Sequence, residues 1–115
     1  MKLEGKAIML RIYFGEDDKW NGKPLYLAIV EKCRALDIAG ATVLRGVAGY
    51  GASTLIHRSH LLSLSHDAPI MVSVVDSEEK IQTLIPFLDE AVDEGLIAKS
   101  EVEVIKYVHQ EGARS

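Results

Sequence analysis

Residues 69–92 carry the sequence PIMVSVVDSEEKIQTLIPFLDEAV, which decides the fold class of this chain. The apolar residues 69–75 predict a strand, with Pro69 at its start, where a missing N–H donor does least harm to a sheet. Asp76, with Glu79 three residues further on, resembles a helix-capping box. Apolar residues then recur at helical spacing as Ile81, Leu84, Ile85, Leu88 and Val92. The stretch is therefore predicted to be a strand followed directly by a helix.

The same order of strand and helix occurs earlier in the chain. Apolar side chains alternate along residues 7–14, AIMLRIYF, which predicts a strand. Its predicted core-facing residues are Ile8, Leu10, Ile12 and Phe14. After a polar loop, residues 24–39 predict a helix, with Pro24 in its first turn and Gly40 at its C-terminal cap.

The remaining elements follow from the same rules. Within the second helix we expect Pro86 to cause a kink or an early break, because its ring removes a hydrogen bond and clashes with the preceding turn. Gly95 is expected to end that helix. Residues 42–47 and residues 101–108, EVEVIKYV, predict two further strands.

The predicted order is β-α-β, a long loop, and β-α-β. It indicates a single α+β domain over residues 1–115 with ferredoxin-like topology (βαββαβ), in which a four-stranded antiparallel sheet carries both helices on one face. The other face would be bare. Candidates for it are Ala7, Met9, Tyr13, Met71 and Ile105. Apolar residues on an uncovered face predict burial against further subunits, and hence a homo-oligomer.

Composition narrows the class of protein. Hydrophobic residues make up 48% of the 115 residues and the net charge is −4, which is typical of one globular domain and disfavours nucleic-acid binding. The single cysteine, Cys33, cannot form an internal disulfide, so a reducing compartment is expected. No apolar run is long enough to span a bilayer, and the first residues do not resemble a signal peptide. A cytoplasmic location without membrane insertion is therefore expected.

The most informative segment for function is residues 44–51, LRGVAGYG. Its glycines, Gly46, Gly49 and Gly51, permit tight turns and let backbone N–H groups approach an anion. Arg45 adds a charged, planar fork suited to phosphate. No helix follows at once, so the segment is neither a Walker loop nor a dinucleotide fingerprint. A loop base that needs glycines to turn explains the pattern equally well.

The connection that follows, residues 49–68, is longer than most loops without structure of their own. It is either a functional loop or an extended hairpin with a short helix. Its three histidines, His57, His60 and His66, invite a metal site or the active site of a small enzyme, but no cysteine or carboxylate cluster completes a ligand set. No nucleophile with its base is evident, so we expect no catalysis.

The acidic run at residues 16–18 could hold Mg²⁺, although a solvated loop explains it more simply. Cys33 has apolar neighbours along its helix, which favours a buried, unreactive thiol.

The chain resembles the PII-like signalling proteins, and specifically a small uncharacterised branch of them, the domain-of-unknown-function 190 group. The resemblance covers about residues 4–108. It is carried by Gly15 and Glu16 after the first strand, by AGATV at residues 39–43 leading into Arg45 and Gly46, and by GYG at residues 49–51.

The resemblance implies a trimer of ferredoxin-like subunits that binds adenine nucleotides in clefts between subunits. The connection at residues 49–68 would correspond to the T-loop, which contacts target proteins such as a membrane transporter or an enzyme. The nucleotide-binding positions would be Arg45, Gly46, Gly49, Tyr50 and Gly51, with Lys106 on the last strand as a further phosphate contact. No cofactor is required, and the nucleotide acts as an effector.

Two departures from PII shape the expected function. Tyr50 lies at the base of the loop rather than its tip, so uridylylation is not implied. Residues 93–100, DEGLIAKS, contain one basic residue, Lys99, where PII carries a basic phosphate-binding loop. AMP or ADP is therefore favoured over ATP. A different branch of PII-like trimers is linked to metal handling, which makes a divalent-metal tolerance protein, using the loop histidines, the alternative.

Overall fold

The computed structural model describes residues 3–49 and 68–109 and contains a four-stranded antiparallel sheet with two helices. Its elements are β1 (Gly5–Gly15), β2 (Lys19–Trp20), β3 (Lys23–Pro24), α1 (Leu25–Ala35), β4 (Ala41–Arg45), β5 (Pro69–Asp76), α2 (Glu78–Ala91) and β6 (Leu96–Val104). The strand order is β4-β5-β1-β6, and every neighbouring pair is antiparallel. The predicted ferredoxin-like topology is confirmed.

One face of the sheet packs against both helices and forms the core. Alternate residues of β1 point into it, and Ile12 is fully buried. They pack with β5 and with the apolar stripes of both helices. The most deeply buried of these side chains are Leu10, Ile12, Val72, Val74, Leu25, Ile29, Ile81, Leu84 and Leu88. The alternation of β1 and the stripe of α2 therefore predicted the core correctly.

The residues that the structure describes leave the opposite face of the sheet uncovered. The strand register places Met9, Tyr13 and Met71 on it, as predicted, and adds Leu44 of β4 and Leu96 of β6. Leu44 is 52% exposed and Leu96 is 57% exposed. Such a row of apolar side chains is an unusual surface for a protein that acts alone.

Two of the residues predicted for this face, Ala7 and Ile105, do not contribute exposed apolar side chains to it. Ala7 shares the face but is already buried. Ile105 was wrongly placed on the face, because β6 ends at Val104 and Ile105 lies beyond it, 81% exposed.

The last strand begins and ends earlier than residues 101–108. Its partner β1 starts at Gly5, which pairs with Val104, so the alternating residues beyond Val104 have no strand to pair with. At the other end, Gly95 precedes β6 with φ +152°. A Cβ there would lie 2.3 Å from the carbonyl oxygen of Tyr13, so only glycine fits.

Helix α1 ends at Ala35, not at residue 39, and Gly40 is not its cap. The left-handed residue is Asp37, with φ +60°. The N–H of Asp37 donates to the carbonyl of Arg34, and the N–H of Ile38 donates to the carbonyl of Cys33. This is a Schellman ending, in which a buried residue beyond the cap packs near the last turn.

Helix α2 is capped by Ser77, whose hydroxyl accepts from the Lys80 N–H at 3.2 Å, rather than by Asp76. The helix continues through Pro86 to Ala91, so the predicted early break does not occur, and Gly95 is not its end. None of the helices in the described residues is long and apolar enough to cross a membrane.

Candidate functional site

Arg45 is the last residue of the edge strand β4 and forms an ion pair with Glu16. Its Nε donates to the Glu16 Oε1 at 3.0 Å. The Arg45 side chain is 44% exposed and the Glu16 side chain 26% exposed, so the guanidinium remains accessible to a ligand. The Arg45 fork offers further N–H donors to a phosphate.

The backbone holds Glu16 in place. Its N–H donates to the carbonyl of Ala68 at 2.8 Å, immediately before β5. On the other side, a tight turn joins Gly15 and Asp18, in which the Asp18 N–H donates to the Gly15 carbonyl at 3.1 Å. Glu16 therefore connects the exit of β1 to the entry of β5 and to the end of β4.

Gly46 and Gly49 pack against Pro69. The Gly46 N–H donates to the Pro69 carbonyl at 2.6 Å, and a Cβ on Gly46 would lie 2.9 Å from the Pro69 Cγ. A Cβ on Gly49 would lie 3.5 Å from the same atom. Gly46 is therefore needed for close packing against Pro69. Because its N–H already donates to the Pro69 carbonyl, this N–H does not bind an anion in this structure.

Of the remaining predicted site residues, only Lys106 lies in the part of the chain that the structure describes. Tyr50 and Gly51 fall outside the described residues, as do the three histidines His57, His60 and His66. Lys106 is exposed and follows β6, so it is not on the strand as predicted. Within one chain it is at the far end of the opposite edge strand from Arg45. The structure thus brings together Arg45, Gly46 and Gly49 with Glu16, and leaves Lys106 apart.

A cleft of about 860 Å³ lies at the opposite end of β4 from Arg45. It is lined by the end of α1, by the turn at residues 37–41 and by Tyr107 and His109. The rings of Tyr107 and His109 are stacked, with centroids 6.4 Å apart. The sequence did not predict this cleft, because it predicts a strand over residues 101–108, whereas Tyr107 lies beyond the end of β6.

Buried titratable groups in this region are structural. Burial raises the pKa of the Cys33 thiol to about 11, so the thiol stays protonated and unreactive near neutral pH, as predicted. Asp76 is fully buried and accepts hydrogen bonds from the N–H groups of Ala39 and Ser77. Within the described residues, no group of three or more His, Cys, Asp or Glu side chains could hold a metal ion.

The fold is that of the PII-like proteins. The structure of CPII from Thiomonas intermedia bound to ADP and bicarbonate matches with a TM-score of 0.60 and 20% identity, over 88% of this chain and 90% of that one. A PII-like signaling protein from Thermus thermophilus matches with a TM-score of 0.62 and 17% identity, over 91% and 94% of the two chains. At these identities the likeness establishes the fold alone.

The chain belongs to the DUF190 family, described as an uncharacterised ACR, whose model matches residues 7–104. A UPF0166 protein of Aquifex aeolicus is 39% identical over 87% of this chain and 94% of its own length. A UPF0166 protein of Methanocaldococcus jannaschii is 35% identical over 88% of this chain and 94% of its own length. The family expected from the motifs is confirmed.

Proposed function

We propose that this protein is a regulatory, non-catalytic PII-like protein that binds an adenine nucleotide, AMP or ADP in preference to ATP, between the subunits of a homotrimer. The observation that carries the proposal is the half-exposed guanidinium of Arg45 at the end of β4, directly before residues 49–68. CPII, which has the same fold, is bound to ADP in one structure and to ADP and AMP in others.

The preference for few phosphates rests on charge. Arg45 pairs with the acidic Glu16, which Asp17 follows in the sequence, and the turn into β6 carries Asp93 and Glu94. Lys99 is the basic residue that follows that turn most closely in sequence, and its Nζ forms an ion pair with the Glu78 Oε2 at 3.1 Å. A triphosphate would meet more negative than positive side chains at this end of the sheet, whereas AMP or ADP carries less charge.

The output of the protein would be carried by residues 49–68. This connection would present a different surface to a target protein, a membrane transporter or an enzyme, in the nucleotide-bound and free states. Such a switch requires the nucleotide to favour one state over the other. The buried thiol of Cys33 suits a reducing, cytoplasmic compartment.

Calorimetric titration with AMP, ADP, ATP and cyclic AMP, with and without Mg²⁺, tests the proposal. We expect saturable binding near one nucleotide per chain. Arg45→Ala should weaken the binding of AMP roughly 10- to 100-fold, because a charge-assisted hydrogen bond to phosphate is lost. Arg34→Ala is the control, because it removes a guanidinium from the cleft that Tyr107 and His109 line. Loss of binding with Arg34→Ala and not with Arg45→Ala would place the ligand in that cleft and contradict the proposed site.

A further inference from the structure

We infer that Glu16 is a built-in competitor of the ligand phosphate for Arg45 and thereby sets the nucleotide concentration at which the site fills. This inference rests on the proposed function, which it deepens.

The Glu16 carboxylate and a ligand phosphate would bind the same guanidinium, that of Arg45. The Glu16 carboxylate accepts from Nε of Arg45 at 3.0 Å, and this edge of a guanidinium is one of the two that can bind an oxyanion in a bidentate manner. A phosphate that takes both donors on that edge must therefore displace the carboxylate. A phosphate that approaches the outer edge must still share Arg45 with a negative neighbour.

Glu16 is well placed to compete because its backbone is fixed. Its N–H is bonded to Ala68 and the preceding residue belongs to the turn closed by Asp18, so its side chain starts from an anchored position. Its carboxylate is also less exposed than the guanidinium it meets, at 26% against 44%. An anchored carboxylate loses little conformational freedom on pairing and is therefore present at high local concentration.

The ion pair between Glu16 and Arg45 is nevertheless weak enough for a phosphate to displace the carboxylate. Exposed ion pairs contribute little to stability, and a phosphate dianion carries more charge than a carboxylate. The apparent affinity for the phosphate ligand is then reduced by the fraction of chains in which Arg45 is already occupied. Ligands without a phosphate do not use Arg45 and are unaffected.

The test compares Glu16→Gln with Glu31→Gln. Each variant removes one negative charge from an exposed ion pair, since Glu31 pairs with Lys23 on the outer surface of α1. A glutamine at position 16 can still accept from Arg45, so the fold is retained; thermal unfolding checks this. We expect Glu16→Gln to tighten AMP binding about 1.5- to 5-fold, the range of one exposed charge interaction. Glu31→Gln should leave AMP binding unchanged, and adenosine should bind equally to all three proteins.

The double variant Glu16→Gln/Arg45→Ala isolates the coupling. It should bind AMP no better than Arg45→Ala alone, because the competitor matters only when Arg45 is present. Weaker AMP binding by Glu16→Gln, or a gain that survives the loss of Arg45, would overturn the inference. Equal AMP binding by Glu16→Gln and Glu31→Gln would overturn it as well.

Parallel titration with pyrophosphate separates this inference from the proposed function. Pyrophosphate binding that tightens in Glu16→Gln, with no binding of any nucleotide, would refute the nucleotide-sensor proposal and support the competition at Arg45. Absence of binding of both pyrophosphate and AMP to the wild-type protein and to Glu16→Gln would refute the inference too.

Discussion

Arg45 and Lys106 occupy opposite corners of the sheet within one chain. Arg45 ends the edge strand β4 beside the start of β5, and Lys106 follows the end of the other edge strand, β6. A single chain therefore cannot direct both residues at one phosphate. If both contact the nucleotide, they must come from neighbouring subunits.

Mixed oligomers test this arrangement. We expect Arg45→Ala and Lys106→Ala each to weaken AMP binding when assembled alone, and a co-refolded mixture to regain tight sites, because one subunit supplies the arginine and its neighbour the lysine. The regained sites are counted by calorimetry. No regain of tight sites in the mixture, with both single variants defective, would show that the two residues do not share an intersubunit site.

The bare face of the sheet is expected to be the assembly surface. Leu44→Glu places a charge among exposed apolar side chains there and should convert the oligomer to monomer, since burying an unpaired charge is costly. Light scattering after gel filtration should change from about three times 12.7 kDa towards 12.7 kDa. Leu27→Glu, at a residue of α1 that is 44% exposed, is the matched control and should remain assembled.

Asp76 should be important for stability rather than for binding. Its Oδ2 accepts from the Ala39 N–H at 2.8 Å and its Oδ1 from the Ser77 N–H at 2.6 Å. Asp76→Ala leaves these donors unsatisfied and should lower the free energy of unfolding by about 2–4 kcal/mol, measured by urea denaturation. Glu79→Ala, on the exposed side of the same helix start, should change it by less than about 0.5 kcal/mol. Equal effects would refute the role given to Asp76.

Gly95 should not tolerate a side chain. Gly95→Ala forces a Cβ towards the Tyr13 carbonyl, 2.3 Å away, at a backbone conformation that L-residues rarely adopt. We expect a loss of about 3 kcal/mol or more in the free energy of unfolding, from strain and overpacking together. In Gly40→Ala the new methyl meets nothing within 4 Å, so this control should be nearly neutral. A mild effect at Gly95 would mean that the turn into β6 can shift.

Cys33 should give a pH dependence at alkaline pH. Burial raises the pKa of its thiol from 9.0 to about 11, so the folded protein holds the proton more tightly than the unfolded chain. This contribution to stability is complete below pH 9 and is lost as pH rises from about 9 to about 11. Cys33→Ala should remove this component from urea-unfolding curves measured across that range. In the native wild-type protein at pH 8, the thiol should react slowly with iodoacetamide, and rapid reaction would contradict its burial.

Periodicity was sufficient for most of the fold. The alternation of β1 and the stripe of α2 reflect direct contact with one core, and that pattern is visible in sequence. The ends of the strands and helices were harder to predict, because they depend on contacts with other parts of the chain. The start of β1 at Gly5 decides where β6 stops, and the left-handed Asp37 ends α1 before the more obvious Gly40 is reached.

The Asn21–Gly22 pair is a local signal for a hairpin, although the polar loop around it shows no strand periodicity. Asn21 and Gly22 both have positive φ, of 50° and 83°, and join the short strands β2 and β3 in a hairpin. An Asn-Gly pair is the strongest short-range signal for such a turn. The Glu16–Arg45 pair, in contrast, joins residues 29 positions apart, so neither residue alone predicts the other.

The bonds from Gly46 to Pro69 and from Glu16 to Ala68 close the base of the segment between β4 and β5 on the sheet itself. The entropy of closing a loop grows only slowly with its length, so the entropic cost of closing this connection depends little on how many residues it contains. If residues 49–68 select the target protein, as proposed, grafting a relative's segment between residues 49 and 68 should transfer that selection while leaving the nucleotide affinity unchanged.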